Sequence, residues 1–193
     1  MFEPAEDDDN FAALSETWQR PAGIFVIVEA RGAAGERIRQ LQQQFDPKLA
    51  ATNPPHLTLV GSSGLGPIVG DTSEDELRMR LAPIARTTAP FALAFGPTTK
   101  FLQRNIVVLP LSPHGILREL HDRIARSGLI FNRARFAFTP HVTVNLFRTL
   151  PRDELRALLA ERVTEPLIVD HLRVSLTDDP APARDLFEIP LTG

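Results

Sequence analysis

The sequence predicts an α+β fold whose sheet is mixed or antiparallel, and three observations lead there. Short apolar or alternating runs of strand length are interleaved with segments of helical periodicity. Several neighbouring strands are joined by links too short to hold a crossover helix, which a doubly wound parallel sheet would need. A third observation is a near-repeat within the chain: Pro55-His56-Leu57-Thr58-Leu59 and Pro140-His141-Val142-Thr143-Val144 both read Pro-His-apolar-Thr-apolar.

Taken in order, residues 1–20 form an acidic arm outside the core. Residues 1–16 hold six acids and no Lys or Arg, with one short helical turn expected around Asn10–Trp18. Residues 21–193 make the single folded domain. The run Ile24–Val28 is a buried strand. Ala33–Phe45 places Ile38, Leu41 and Phe45 at helical spacing and stops before Pro47. His56–Val60 is a second strand. Ser73 and Glu76 form a capping box for a helix with Leu77, Leu81 and Ile84 inward, which Pro83 is expected to bend or end early. Strands follow at Phe91–Phe95 and Asn105–Leu111. Ser112 as N-cap and Pro113 in the first turn are expected to start a helix that runs to near Gly128. His141–Phe147 is a strand, Pro151 opens a short helix, and Leu167–Thr177 reads as one alternating strand. Leu186–Leu191 closes the fold as an edge strand because Pro190 lacks an N–H.

Composition narrows the function. The 193-residue chain has no cysteine, which excludes disulfides, thiolate metal sites and a cysteine nucleophile. No apolar run approaches the roughly 18 residues of a spanning helix, and MFEPAEDDDN is acidic where a signal peptide is basic, so a cytoplasmic location is expected. Outside the arm 21 basic residues face 18 acids, a net +3. That balance suits a small phosphate compound and is too weak for tight binding of long nucleic acid.

The repeated pentamer carries the chemistry. With 5 His and 17 Pro in the chain, composition alone gives an expectation of about 0.006 such pentamers. Side chains alternate along a strand, so His56 and Thr58 share one face while Leu57 and Leu59 point into the core. His141 and Thr143 are disposed likewise. Two such strands side by side would aim two imidazoles and two hydroxyls into one groove. One imidazole would take a proton from the attacking hydroxyl or water, the other would protonate the leaving oxygen, and the hydroxyls would hold the non-bridging phosphate oxygens. Such chemistry requires neither metal nor cofactor.

The duplicated H-x-T-x motif resembles that of the 2H phosphoesterase superfamily, which includes 2′-5′ RNA ligase-like proteins and cyclic nucleotide phosphodiesterases. The resemblance runs over residues 22–191, through the first strand and helix, PFALAFGP, Phe101, VVLPL and FTPHVT. It implies a pseudo-symmetric two-lobed fold with one H-x-T strand from each lobe lining a central cleft. It further implies that His56 and His141 are the catalytic pair and that Thr58 and Thr143 bind phosphate. The expected substrate is a small nucleotide or RNA 3′-end bearing a cyclic phosphate, acted on by a monomer. Hydrolysis and 2′-5′ ligation use the same groups, and a non-catalytic nucleotide- or RNA-binding module is the rival reading. Asn145-Leu146-Phe147 stand where many members place a basic residue close behind the second motif.

Other residues read more plainly. His114 and His121, seven apart on one helix, are expected at the surface, and His171 is packed or solvent-facing. The loop Gly61–Gly70 lacks the Lys-Ser/Thr of a phosphate-binding P-loop and is expected to be flexible near the cleft. Lys100, Arg104, Arg133, Arg135 and Arg148 lie near the motifs in sequence, and one or two are expected to reach phosphate. Phe101 and Phe138 are core residues first and base-stacking candidates second.

Overall fold

A computed structural model describes residues 22–101, 104–177 and 183–193. The expected acidic arm lies outside the described residues. The elements are β1 (Gly23–Glu29), α1 (Gly32–Phe45), α2 (Pro47–Thr52), β2 (His56–Val60), α3 (Glu74–Arg86), β3 (Phe91–Phe95), β4 (Thr99–Lys100) and β5 (Val107–Ser112). They continue with α4 (Gly115–Ala125), β6 (His141–Asn145), α5 (Arg152–Ala160), β7 (Leu167–Val169), β8 (His171–Thr177) and β9 (Arg184–Pro190).

The strands pair in the order β7-β3-β5-β6-β2-β1-β8-β9, with β4 added beside β5. Every pairing between these strands is antiparallel. The order divides into two four-strand halves that meet between β6 and β2. Because β7 and β8 stand near opposite ends of the order yet are separated by Asp170 alone, the sheet must curl to bring those ends together. Leu167–Thr177 is therefore two strands rather than one. Its first part pairs with β3 and its second with β1. The alternation changes phase there, with Leu167 and Val169 core-facing before Asp170-His171 and Leu172 and Val174 after it, a slip that the one-strand reading passed over.

Helices cover one face of the sheet. Val26, Val28, Leu57, Leu59, Leu109, Val142, Val144, Leu172 and Val174 point from the strands into a single core. Ile38 and Leu41 of α1, Leu77 and Leu81 of α3, and Leu117, Leu120 and Ile124 of α4 close over them. The Ser73 hydroxyl accepts the Glu76 N–H at 3.2 Å, the N-cap half of the expected capping box. Pro83 does not end α3, which runs on to Arg86. Pro83 lies on the exposed side of that helix, where water can satisfy the carbonyl its ring leaves unbonded.

The α4 start differs from expectation. Ser112 remains in β5, opposite Ala94, and the helix begins at Gly115 with His114 at its N-cap. Sheet pairing outweighed the capping preference of one serine. The helix also stops at Ala125, three residues short of Gly128. Ile38 is fully buried between α1 and the sheet. Ile38→Ala is expected to cost about 2–5 kcal/mol of stability, read as a lower urea midpoint at unchanged m.

Candidate active site

The register of the two central strands assembles the site. Leu57 of β2 lies opposite Val142 of β6 in an antiparallel pair. That register sets His56 across from Thr143 and Thr58 across from His141, all four on the face opposite the core. The two strands show the same alternation, half-buried at His and Thr and buried at the apolar positions between. Directly opposed side chains have Cβ atoms about 4.5–5.5 Å apart, and diagonal neighbours such as the two histidines about 7–8 Å. A local two-fold axis passes through the Leu57–Val142 pair and exchanges the motifs.

The proline of each motif has a purpose the sequence reading did not supply. The His56 Nδ1 lies 2.8 Å from the Pro54 carbonyl, and the His141 Nδ1 lies 2.6 Å from the Thr139 carbonyl. In each motif the proline sits between the residue supplying that carbonyl and the histidine. Its fixed φ, and the extended conformation it imposes on the residue before it, turn the carbonyl back onto the ring. A carbonyl can only accept, so both Nδ1 atoms carry hydrogen, which in the neutral ring makes Nε2 the basic nitrogen.

The surroundings of the two rings differ. The Phe101 ring meets His141 edge-on, with centroids 5.3 Å apart and planes at 87°. Burial pushes the His141 pKa below the ordinary imidazole value, against the opposing pull of the Thr139 carbonyl. His56 instead has Glu29 of β1 as its cross-strand neighbour. Glu29 accepts from Arg173 Nη1 at 2.6 Å, and the same guanidinium is bound to Asp185.

Behind the second motif stands a polar clamp that sequence reasoning missed. Gln42 Nε2 donates to the Thr143 carbonyl at 2.8 Å. Asp46, fully buried, accepts the Leu49 N–H at one oxygen and the Leu146 and Phe147 N–H groups at the other. These bonds end β6 at Asn145, two residues before the expected Phe147. Asn145 itself donates to the carbonyls of Asn105 and Arg148. The one available signal was Asp46-Pro47, an N-cap followed by a first-turn proline, which marks α2. The second task of its carboxylate, 100 residues away, has no local signature.

The structure uses the other candidates differently. Arg148 donates to the Phe45 carbonyl and pairs with Glu154, so its guanidinium is engaged in holding α1 and α5. His121 is buried, not at the surface, and stacks on Phe138 with centroids 3.9 Å apart. His171 is buried as well; its Nε2 accepts the Glu29 N–H and its Nδ1 meets Asp170. His114 is exposed. The loop after β2 is tied down by Gly61 N–H to the Leu65 carbonyl, Gly64 N–H to the Phe136 carbonyl and paired bonds between Ile68 and Ile24. At Gly66 a Cβ would lie 1.9 Å from the Asn132 carbonyl oxygen, so only glycine permits this crossing. Arg104, Arg133 and Arg135 are exposed. Among the described residues no three His, Asp or Glu side chains are grouped as metal ligands. Nor is any helix among them long and apolar enough to cross a membrane.

A curled antiparallel sheet with helices on one face and a dyad of H-x-T strands at its centre defines a class of protein. Residues 30–181 match the family model described as the 2′-5′ RNA ligase superfamily, and the chain belongs to that superfamily, the 2H phosphoesterases. A Geobacillus kaustophilus protein named as a candidate phosphoesterase is 31% identical over 103 residues, covering 52% of this chain and 55% of its own. A Bacillus licheniformis protein named in the same way is 30% identical over 107 residues, 53% of this chain and 58% of its own. The match thus spans little more than half the length of these curated relatives. Among solved structures, TT0787 of Thermus thermophilus superposes with a TM-score of 0.59 at 17% identity, over 88% of this chain and 98% of that one. Escherichia coli LigT complexed with 3′-AMP gives 0.54 at 17% identity, over 90% and 99%. At that identity the likeness concerns the fold.

The clamp yields a prediction. Asp46→Ala removes the acceptor of three backbone N–H groups at a fully buried position and is expected to cost about 2–4 kcal/mol in urea unfolding. Hydrogen exchange at Leu146 and Phe147 should quicken more than exchange at Leu57.

Proposed function

We propose that this chain is a metal-independent phosphoesterase that hydrolyses a 2′,3′-cyclic phosphate, or a related phosphodiester, of a nucleotide or RNA end. The observation that carries this reading is the pairing of β2 and β6, which puts two Nδ1-anchored imidazoles and two threonine hydroxyls on one face. A single histidine supplies either an acid or a base. Displacement at a phosphodiester needs both, on opposite sides of phosphorus.

The reaction balances with these groups alone. A neutral Nε2 takes a proton from water as its oxygen bonds to phosphorus. The other Nε2–H gives its proton to the ribose oxygen as the P–O bond of the ring breaks. The product is a phosphomonoester, and the pair is left with its protonation states exchanged. Thr58 and Thr143 donate to the non-bridging oxygens as charge grows on them. The same pair serves 2′-5′ ligation, in which a ribose hydroxyl replaces water. Escherichia coli LigT, of the same fold, has been crystallised with 3′-AMP and with phosphate. Those ligands support a small nucleotide phosphate as the substrate class here. The four residues and the monomeric, small-substrate character belong to this reading, as does weak, salt-sensitive binding of long RNA.

The test is a panel of 2′,3′-cyclic nucleotides and cyclic-phosphate oligonucleotides with product analysis, run with and without EDTA. Turnover that persists in EDTA is expected. Loss restored by one divalent ion would overturn the two-histidine mechanism. His56→Ala and His141→Ala should each lower kcat/KM about 10²–10⁴-fold, with the double variant little below the worse single one. Near-normal turnover in either, with the fold intact, would make the motif architectural.

Thr58→Val and Thr143→Val keep strand propensity and volume while deleting one hydroxyl. Each should cost about 1–3 kcal/mol of transition-state stabilisation, read from kcat/KM. Unchanged values in both would remove the threonines from the site.

A further inference from the structure

The local dyad makes the motifs equivalent in backbone but not in charge. Each histidine has an outer cross-strand neighbour: Glu29 of β1 for His56 and Pro110 of β5 for His141. The dyad exchanges these two positions. One holds a carboxylate and the other a proline with neither charge nor N–H. We propose that Glu29 is a positioning residue that breaks the symmetry of the pair, holding His56 as the imidazolium that protonates the leaving oxygen and leaving His141 as the neutral base.

The proposal rests on the phosphoesterase reading for its chemistry and on the geometry of Glu29 for its polarity. The Glu29 side chain is only 20% exposed and is fixed by Arg173 Nη1 at 2.6 Å. Its backbone N–H is held by His171 Nε2 at 3.2 Å. At directly opposed positions the Glu29 and His56 Cβ atoms stand about 4.5–5.5 Å apart, close enough for a carboxylate to favour the charged imidazole.

Arg173 does not cancel that field. Among the described residues, the charged groups placed on this flank by their ion pairs are Glu29 of β1, Arg31 just beyond it, Asp170 between β7 and β8, Arg173 of β8, and Asp185 and Glu188 of β9. Arg173 is shared between Glu29 and Asp185, while Arg31 engages Glu188 and stands 3.8 Å from Glu29. Asp170 meets the buried His171. Among the described residues, four carboxylates against two guanidinium groups give this flank a negative balance. From β6, His56 faces the uncharged Thr143 and, diagonally, His141 itself.

The His141 flank is different in kind. Phe101 packs edge-on against the ring, and burial already disfavours its charged form. Residues 131–136 pair with the loop after β2, through Ser63–Phe136 and Ile68–Phe131 bridges. That loop leaves β2 at the His141 end of the strand pair. It therefore brings the segment bearing the exposed Arg133 and Arg135 to this end. Among the described residues, carboxylates thus stand on the His56 flank, while an aromatic ring meets His141.

The experiment is an NMR titration of the imidazole Cε1–H resonances in the full chain, alongside pH profiles of kcat/KM on a 2′,3′-cyclic nucleotide. In the wild type His56 should titrate above His141, and the acidic limb, set by the base, should fall below the ordinary imidazole value near about 6.5. Glu29→Gln preserves shape and should lower the His56 midpoint by about half a pH unit or more, leaving His141 nearly unmoved. The alkaline limb should shift down with it. Glu29→Asp, which keeps the charge, should retain most of the wild-type midpoint. Arg173→Gln should move His56 the opposite way, a reversal that general loosening of the strand would not produce. A His56 midpoint at or below that of His141, or one unmoved by either substitution, overturns the proposal. Absence of turnover in the wild type would instead count against the phosphoesterase reading, and the titrations would still decide the role of Glu29.

Discussion

The pairing of β2 with β6, fixed by Leu57 against Val142, is the constraint on which the rest depends. Both strands are buried on the side facing the helices, so a slip of one residue would turn Leu57 and Leu59 out and bury His56 and Thr58. Burial of the apolar set thereby specifies the arrangement of the polar set. Strands that meet in any other register would not place each histidine across from the other strand's threonine.

Much of the surrounding structure holds that register. On the first-motif side, β1 pairs with β2 and passes the sheet on to β8. On the second-motif side, hydrogen bonds from α1 and the turn after it hold β6 by its backbone. Asp46 serves two elements at once: one buried carboxylate caps α2 and ends β6. The prolines complete the arrangement by turning a carbonyl onto each imidazole, which fixes the tautomer of both rings.

Around a symmetric centre the chain is asymmetric. The outer strands carry a charged lattice of Glu29, Arg31, Arg173, Asp185 and Glu188 on one flank and apolar or aromatic residues on the other. Duplicated backbone with unlike neighbours gives the same residue type two different electrostatic settings. It requires no change in the motifs themselves, only in the strands beside them.

Local pattern determined a good deal. The five-residue strands at His56–Val60 and Phe91–Phe95, the Ser73 cap and the two H-x-T motifs were legible because each depends on residues within a few positions of one another. The α+β class and the edge position of the strand containing Pro190 followed from alternation, helical spacing and a missing N–H. What the tertiary structure decided is of longer range. The phase slip at Asp170-His171 marks a break, but alternation does not record which partner a strand takes, so the change from β3 to β1 came only with the tertiary structure. Capping preference is worth about a kilocalorie per mole and yields to a sheet ladder, so Ser112 stayed in β5. Arg148, His121 and Asp46 acquired their partners from residues distant in sequence. The motifs alone named the four side chains; only the register of two strands, set by burial of their opposite faces, turned them toward one another.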